Sequence, residues 1–154
     1  MMHYFLGLKV WKFPDEFFLN QGKYAVEILE GFRMLDCKEM NTPMVTNLNL
    51  LNDDSSERVY VAQYRKINVS LMYLKNTRPD ILFVVNTLIQ YMVEPKNVQL
   101  IATKHVMRYL KGTLDYGLRH AVDIEFRLYG YTDLNWAGSA EDIKRTSRCC
   151  FSLG

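Results

Sequence analysis

Cysteine is scarce in this chain, and where it occurs it is poorly spaced for a structural role. Cys37, Cys149 and Cys150 form no C-x-x-C pair, and adjacent cysteines in a strand point to opposite faces. Both facts disfavour a zinc knuckle or a disulfide framework and fit a reducing intracellular compartment. Long apolar runs are missing too. No stretch approaches the roughly 18 residues of a membrane span, and the N-terminus lacks the basic-then-apolar layout of a signal peptide. The sequence holds no G-x-S-x-G elbow, no Walker loop and no dinucleotide fingerprint, which leaves acyl-transfer and nucleotide-cofactor chemistry without support. A large charge excess is absent as well: the formal net charge is +2 and the isoelectric point about 8.4. Any basic surface has therefore to be local. No internal repeat or low-complexity tract is visible.

What is present is 154 residues, 49% hydrophobic and 13% aromatic, enough for one core or for two incomplete pieces of larger domains. Residues 1–8 run into strand-like sequence with no polar lead-in, as in a chain cut inside a domain. Apolar residues alternate at 4, 6, 8 and 10, and Phe17-Phe18-Leu19 follows a Pro14-Asp15-Glu16 turn, so residues 3–20 are expected to form a β-hairpin. From Gln21 the period changes, and Tyr24, Ile28, Phe32 and Leu35 share a helical face, with Gly31 leaving the end of that helix open. Residues 36–60 are rich in Asn, Thr, Asp and Ser with no sustained period, which predicts a long connection that packs little of itself. Two helices follow, one marked by Tyr64, Ile67, Leu71 and Leu74, the next by Ile81, Val84, Val85, Leu88 and Met92, with Pro79 in an opening turn. A third, over about 98–111, puts Val98, Ile101, Ala102, His105, Val106 and Tyr109 on one stripe, and Gly112 stops it. From Ile124 the period drops to two, and residues 149–153 supply a second strand.

Few residues suggest chemistry. On a helical wheel Lys104, Arg108 and Lys111 cluster on a flank beside the apolar stripe of the third helix. Such a ridge suits phosphates. It equally suits a solvated flank of cations near a helix C-terminus, and physics alone favours that second reading. His105 has no companion at ligand spacing and is expected to be a packed, hydrogen-bonded histidine; His3 and His120 are no better placed. Asp133 follows Gly130-Tyr131-Thr132 at a strand end and precedes Trp136 and a small-residue turn. A strand-end aspartate is a common metal ligand, but two-metal phosphodiester chemistry needs several carboxylates around cations roughly 3.5 to 4 Å apart. Glu141 and Asp142 look instead like a solvated turn.

The order of short motifs carries more than composition does. His3-Tyr4-Phe5-Leu6-Gly7, Tyr64-Arg65, Ser70-Leu71-Met72-Tyr73-Leu74, Thr77-Arg78-Pro79-Asp80-Ile81, Arg108-Tyr109-Leu110-Lys111-Gly112-Thr113 and Gly130-Tyr131-Thr132-Asp133-Leu134-Asn135-Trp136-Ala137-Gly138 appear in succession. Residues 21–24 add Q-x-K-Y, and residues 142–148 a worn version of D-R-K-S-T-S-G. This succession resembles copia-type LTR retrotransposon Pol polyproteins, from the end of the reverse transcriptase to the start of ribonuclease H. The resemblance covers essentially the whole chain. It implies an α+β fold in which residues 1–60 hold a primer-grip-like hairpin, the start of the thumb and a linker. Residues 61–120 would be a helical thumb or connection, and residues 121–154 the first hairpin of an incomplete ribonuclease H-like domain. It also implies that Lys104, Arg108 and Lys111 contact the backbone of an RNA–DNA hybrid or DNA duplex without reading bases. Asp133 would be a remnant of the first ribonuclease H ligand for the Mg²⁺ that the intact family uses.

Departures from the family pattern limit the activity expected. The polymerase Y-x-D-D turn belongs upstream of H-Y-F-L-G, and the pair Asp53-Asp54 lies in the linker without its tyrosine. The second aspartate of D-x-D-W is Asn135, and Asn68-Val69 replaces a usual Ile-Gly pair. Arg148 stands where the family has a glycine. The resulting expectation is a truncated, partly degenerate Pol fragment, inactive alone, binding no cofactor itself, with weak backbone affinity for duplex nucleic acid. Two alternatives remain: a segment of an intact, active polyprotein, or a repurposed interaction protein that self-associates through exposed apolar faces. An intracellular location, cytoplasmic or nuclear, with no membrane partner, fits each.

Overall fold

Alternation does carry the first twenty residues into a sheet, but with an extra turn. The computed structural model describes residues 4, 5, 7–45, 50, 59–121, 128–135 and 146–153, with backbone alone at 4, 5, 128–135 and 146–153. The expected first strand is interrupted at Gly7, whose φ of +80° suits a residue without a Cβ. The chain there folds back, so that β1 (Tyr4–Phe5) pairs with the start of β2 (Leu8–Lys12), Tyr4 opposite Lys9 and Phe5 opposite Leu8. β2 then pairs antiparallel with β3 (Glu16–Asn20) from Lys9↔Asn20 to Lys12↔Phe17. The turn between them closes through a bond from the Phe13 amide to the Glu16 carbonyl, 2.8 Å.

A strand with no counterpart in the periodicity completes this sheet. β4 (Gly117–Ala121) lies beside β3, giving the order β1-β2-β3-β4. Gly117 is required at the junction: a Cβ there would collide with the Leu19 carbonyl and approach the Phe18 ring.

The helices follow the predicted faces, with two adjustments. α1 (Gly22–Gly31) buries Ala25, Ile28 and Leu29. It ends because Arg33 takes a left-handed conformation, φ 56°, letting its amide bond Glu30 O at 3.0 Å and the Met34 amide bond Leu29 O at 2.7 Å. This is a Schellman cap with arginine where glycine is usual, and it leaves Leu35 beyond the helix, packed against the core from a loop. α2 (Val61–Leu74) buries Tyr64, Ile67, Leu71 and Leu74 as expected. A 3₁₀ turn, Pro79–Ile81, leads into α3 (Leu82–Ile89), which with that turn buries Ile81, Val84, Val85 and Leu88.

The second adjustment concerns α4 (Asn97–Lys111). Its buried stripe is rotated from the predicted one. Ile101 is 56% exposed, whereas Gln99 and Thr103 are buried. Polar side chains can go inside because they are satisfied: Gln99 Nε2 donates to Leu50 O at 2.7 Å, Gln99 Oε1 accepts from the Lys96 amide at 2.6 Å, and Thr103 Oγ1 donates to Gln99 O. A wheel that ranks residues by apolarity alone misplaces such a helix.

The segment expected to pack little of itself behaves otherwise over its described part. Met40 and Met44 rest on the core, and the Met40 amide bonds Arg108 O at 3.3 Å. Backbone groups bonded along α4 and half-buried thioethers outweigh the polar composition that suggested a free connection. Leu35, Met40, Leu50 and residues of all four helices share one core.

Residues 1–120 form one compact unit and residues 121–154 a second. In the second, β5 (Leu128–Asn135) and β6 (Thr146–Leu153) pair antiparallel, from Leu128↔Leu153 to Asn135↔Thr146. β6 begins three residues before the predicted strand; residues 124–127 of the predicted first strand lie outside the described residues. The architecture is α+β.

One packing fault stands out in α2. Asn68 is fully buried; its Nδ2 donates to the Tyr64 carbonyl at 3.0 Å, while its Oδ1 has no hydrogen-bond partner among the described residues. An orphaned buried acceptor costs about 1–3 kcal/mol. Asn68→Leu is therefore expected to stabilise the chain by about 1–2 kcal/mol, seen as a higher urea midpoint with an unchanged slope; a lower midpoint would refute this account of the site.

Candidate functional site

Arg78 is the most constrained charge among the described residues, at 3% exposure. It precedes Pro79, whose ring opens the 3₁₀ turn and brings Asp80 back toward the guanidinium. Arg78 Nε donates to Asp80 Oδ1 at 3.0 Å and Nη2 to Asp80 Oδ2 at 2.7 Å. The other edge reaches 35 residues on, Nη1 donating to Thr113 O at 2.8 Å and Nη2 to Thr113 Oγ1 at 2.6 Å. Tyr109 OH donates to Asp80 Oδ2 at 2.8 Å, and Thr113 Oγ1 donates to Tyr109 O at 2.9 Å. The guanidinium carbon lies 5.6 Å from the Tyr109 ring centre and 5.3 Å from that of Tyr116.

Neighbouring amides extend this cluster to the sheet. Thr77 Oγ1 donates to Gln21 Oε1 at 2.7 Å. Asn20 Nδ2 donates to the carbonyls of Leu114 and Tyr116, at 3.0 and 2.7 Å, and its Oδ1 accepts from the Gly22 amide. Beside the cluster opens a cavity of about 500 Å³ lined by Phe18, Arg78, Asp80, Tyr116 and Arg119 among others.

The electrostatics follow from burial and pairing. Desolvation pushes the Asp80 carboxyl up, but the hydrogen bonds from Arg78 and Tyr109 and the charge of Arg78 outweigh it and hold the group below its ordinary value. Burial, then the bond to Asp80, raises Tyr109. In α2, burial pushes the Tyr64 hydroxyl up to about 12; it donates to Leu88 O at 2.7 Å.

The predicted basic ridge is found on α4 with unequal freedom. Lys104 is exposed. Arg108 Nε donates to Lys38 O and Lys111 Nζ to Cys37 O, both at 2.7 Å. These two cations thus also clamp the backbone that follows α1. His105 is half-buried with Nε2 against Thr42 O at 2.9 Å, a packed and hydrogen-bonded histidine as its spacing suggested.

Asp133 lies in β5 opposite Arg148 of β6. Among the described residues no three His, Cys, Asp or Glu side chains converge to hold a metal ion; the side chain of Asp133, and Glu141 and Asp142, lie outside what is described. No helix among them is long and apolar enough to cross a membrane.

Comparison with known proteins supplies the lineage. Over 153 residues, 99% of the chain, it is 37% identical to the retrovirus-related Pol polyprotein from transposon RE2 of Arabidopsis thaliana, and 35% identical to that from transposon RE1. The chain belongs to the copia-type retrotransposon Pol family. An uncharacterized mitochondrial protein of Arabidopsis thaliana is likewise 37% identical over 99% of the chain. This Pol segment spans 63% of that mitochondrial protein and 10% of each of the two Pol polyproteins. No family model and no solved structure matches it.

In the Pol segment, the T-R-P-D-I and R-Y-L-K-G-T runs were legible as helix start and helix stop. Their joining was not. Arg78, Asp80, Tyr109 and Thr113 meet only in three dimensions; the available signal was an Arg and an Asp flanking a proline in an otherwise apolar stretch, a spacing that invites a local bidentate pair.

Two outcomes test the cluster. Arg78→Lys keeps the charge but cannot bridge Asp80 and Thr113 together, and is expected to destabilise the Pol segment by about 2–4 kcal/mol in chemical denaturation; a neutral effect would show the bridge to be dispensable. Because the folded value of Asp80 is depressed, its contribution is complete above the ordinary value of 3.8 and is lost as pH falls through the folded value. The stability gap between wild type and Asp80→Asn should therefore narrow as pH falls through the ordinary carboxylate value and on through the depressed folded one. A gap that stays constant would exclude this linkage.

Proposed function

We propose that residues 1–120 are the end of a reverse transcriptase and residues 121–154 the first strands of a ribonuclease H-like domain. In this reading the chain cradles the sugar-phosphate backbone of an RNA–DNA hybrid or DNA duplex and is non-catalytic alone. The observation that carries the reading is alignment of 99% of the chain with Pol polyproteins, supported by a motif order that changes character where the second compact unit begins, at Ala121.

The chemistry of binding rests on few groups. Lys104 projects from α4 with its ammonium exposed, a point charge for a phosphate. Arg108 and Lys111 occupy the last turn of α4, where the helix dipole favours cations, and each retains donors beyond the one spent on the neighbouring carbonyl. With a net charge of only +2, the affinity is expected to be weak and to depend on these local cations. Polymerisation and hybrid cleavage need clustered carboxylates, and Asp133 is the one ligand position the motif order assigns. In the intact family Mg²⁺ supplies charge neutralisation at the scissile phosphate, and Asp133 is the residue that would face it. A second reading is a segment of an intact active polyprotein, like the Pol relatives of which the chain matches 10%. An intracellular location, cytoplasmic or nuclear, suits both.

Fluorescence anisotropy with an RNA–DNA hybrid tests the first reading. Binding should weaken steeply between about 50 and 200 mM salt. Lys104→Ala should lower the salt slope by about one phosphate contact without disturbing the clamp on residues 37–38, and changing Arg108 and Lys111 as well should lower it further. Primer extension and hybrid cleavage should be undetectable with Mg²⁺ present. Salt-independent binding, or none, would leave ancestry without function.

A further inference from the structure

We infer that the open cavity between β3, β4 and the Arg78–Asp80 turn binds a nucleotide, its base laid on Tyr116 and its phosphate on Arg119. The inference deepens the proposed function, resting on it only for the strand that would carry the nucleotide; the site is separate from the α4 ridge.

The cavity, about 500 Å³, falls within the size range of small-ligand clefts. Two of its lining residues, Phe18 and Tyr116, are aromatic, and their planes are set from behind. Arg78 stacks 5.3 Å from the Tyr116 ring centre and is itself fixed by bonds to Asp80 and Thr113, while 52% of Tyr116 remains exposed. Phe18 is held by Trp11, ring centres 5.3 Å apart and tilted at 42°. Between Phe18 and Tyr116 stands Gly117, where any Cβ would come within 2.9 Å of Phe18 Cζ. The glycine lets β4 approach β3 closely and so brings Phe18 and Tyr116 to the same cavity; stacking on aromatics is tolerant of which base is offered.

Charge completes the match to a monophosphate. Asp80 lines the cavity, but its carboxylate is neutralised by Arg78 and bonded by Tyr109, so it does not repel an anion. Arg119 has a side chain 75% exposed, with Glu16 at 3.9 Å, and it can turn its fork to a phosphate. Asp115 also lines the cavity; it offers an acceptor to an exocyclic amino group and opposes a second or third phosphate.

The test uses the full chain and a single-stranded DNA octamer carrying one 2-aminopurine, whose fluorescence falls on stacking. Wild type should quench it to saturation. Tyr116→Leu and Arg119→Ala should each weaken binding by about tenfold. Arg119 is an exposed strand residue, so its variant reports binding even if Tyr116→Leu perturbs the fold. Competition by AMP at comparable concentration assigns the site to free nucleotide, and competition by unlabelled octamer alone assigns it to a strand; either supports the site. No quenching, or quenching unchanged in both variants, overturns it. Salt-sensitive hybrid binding retained alongside that result would leave the proposed function standing, whereas quenching without hybrid binding would sink the proposed function and keep the site.

Discussion

A guanidinium taken almost wholly out of water is the constraint around which the first unit is arranged. Arg78 cannot be left with open donors at 3% exposure, because an unpaired buried charge is worth several kcal/mol against folding. Local sequence meets half the need through Asp80, two residues on. The other half is met only if the end of α4 arrives with the carbonyl and hydroxyl of Thr113. Satisfying one side chain thus fixes the distance between the start of α3 and the end of α4.

From that fixed point the sheet is positioned in turn. The chain leaving α4 passes Leu114 and Tyr116, whose carbonyls receive the amide of Asn20, and emerges as β4 beside β3. Gly117 lets the two backbones close, and Thr77 hands its hydroxyl to Gln21 at the start of α1. The helical layer and the four-stranded sheet are therefore joined by polar bonds of long sequence separation as well as by apolar packing. A network of this kind is sensitive to any missing member, since each loss strands a partner.

The same economy governs α4, whose polar residues divide by what they touch. Gln99 and Thr103 face inward and hold backbone carbonyls, Arg108 and Lys111 clamp residues 37–38, and Lys104 faces water. A copia-type Pol segment with so mild a net charge has little general attraction for nucleic acid, so the duplex binding we propose depends on which cations remain free and how they are placed. The nucleotide proposed for the cavity beside Arg78 would add a different kind of contact, one that depends on ring faces more than on charge.

By itself the sequence determined the lineage, the helical faces of α2 and α3, the strand alternation around β2 and β3, and Pro79 at a helix opening. Each of these is set by local periodicity, by one residue's backbone preference or by motif order, and needs no knowledge of what lies across the fold. Tertiary structure alone decided that Ile101 faces out while Gln99 goes in, that residues 36–45 pack along α4, that β4 exists, and that Arg78, Asp80, Tyr109 and Thr113 meet. The physical reason is common to all four: a buried polar group is placed by the partner that satisfies it, and here that partner often lies tens of residues away, where composition and period carry no trace of it.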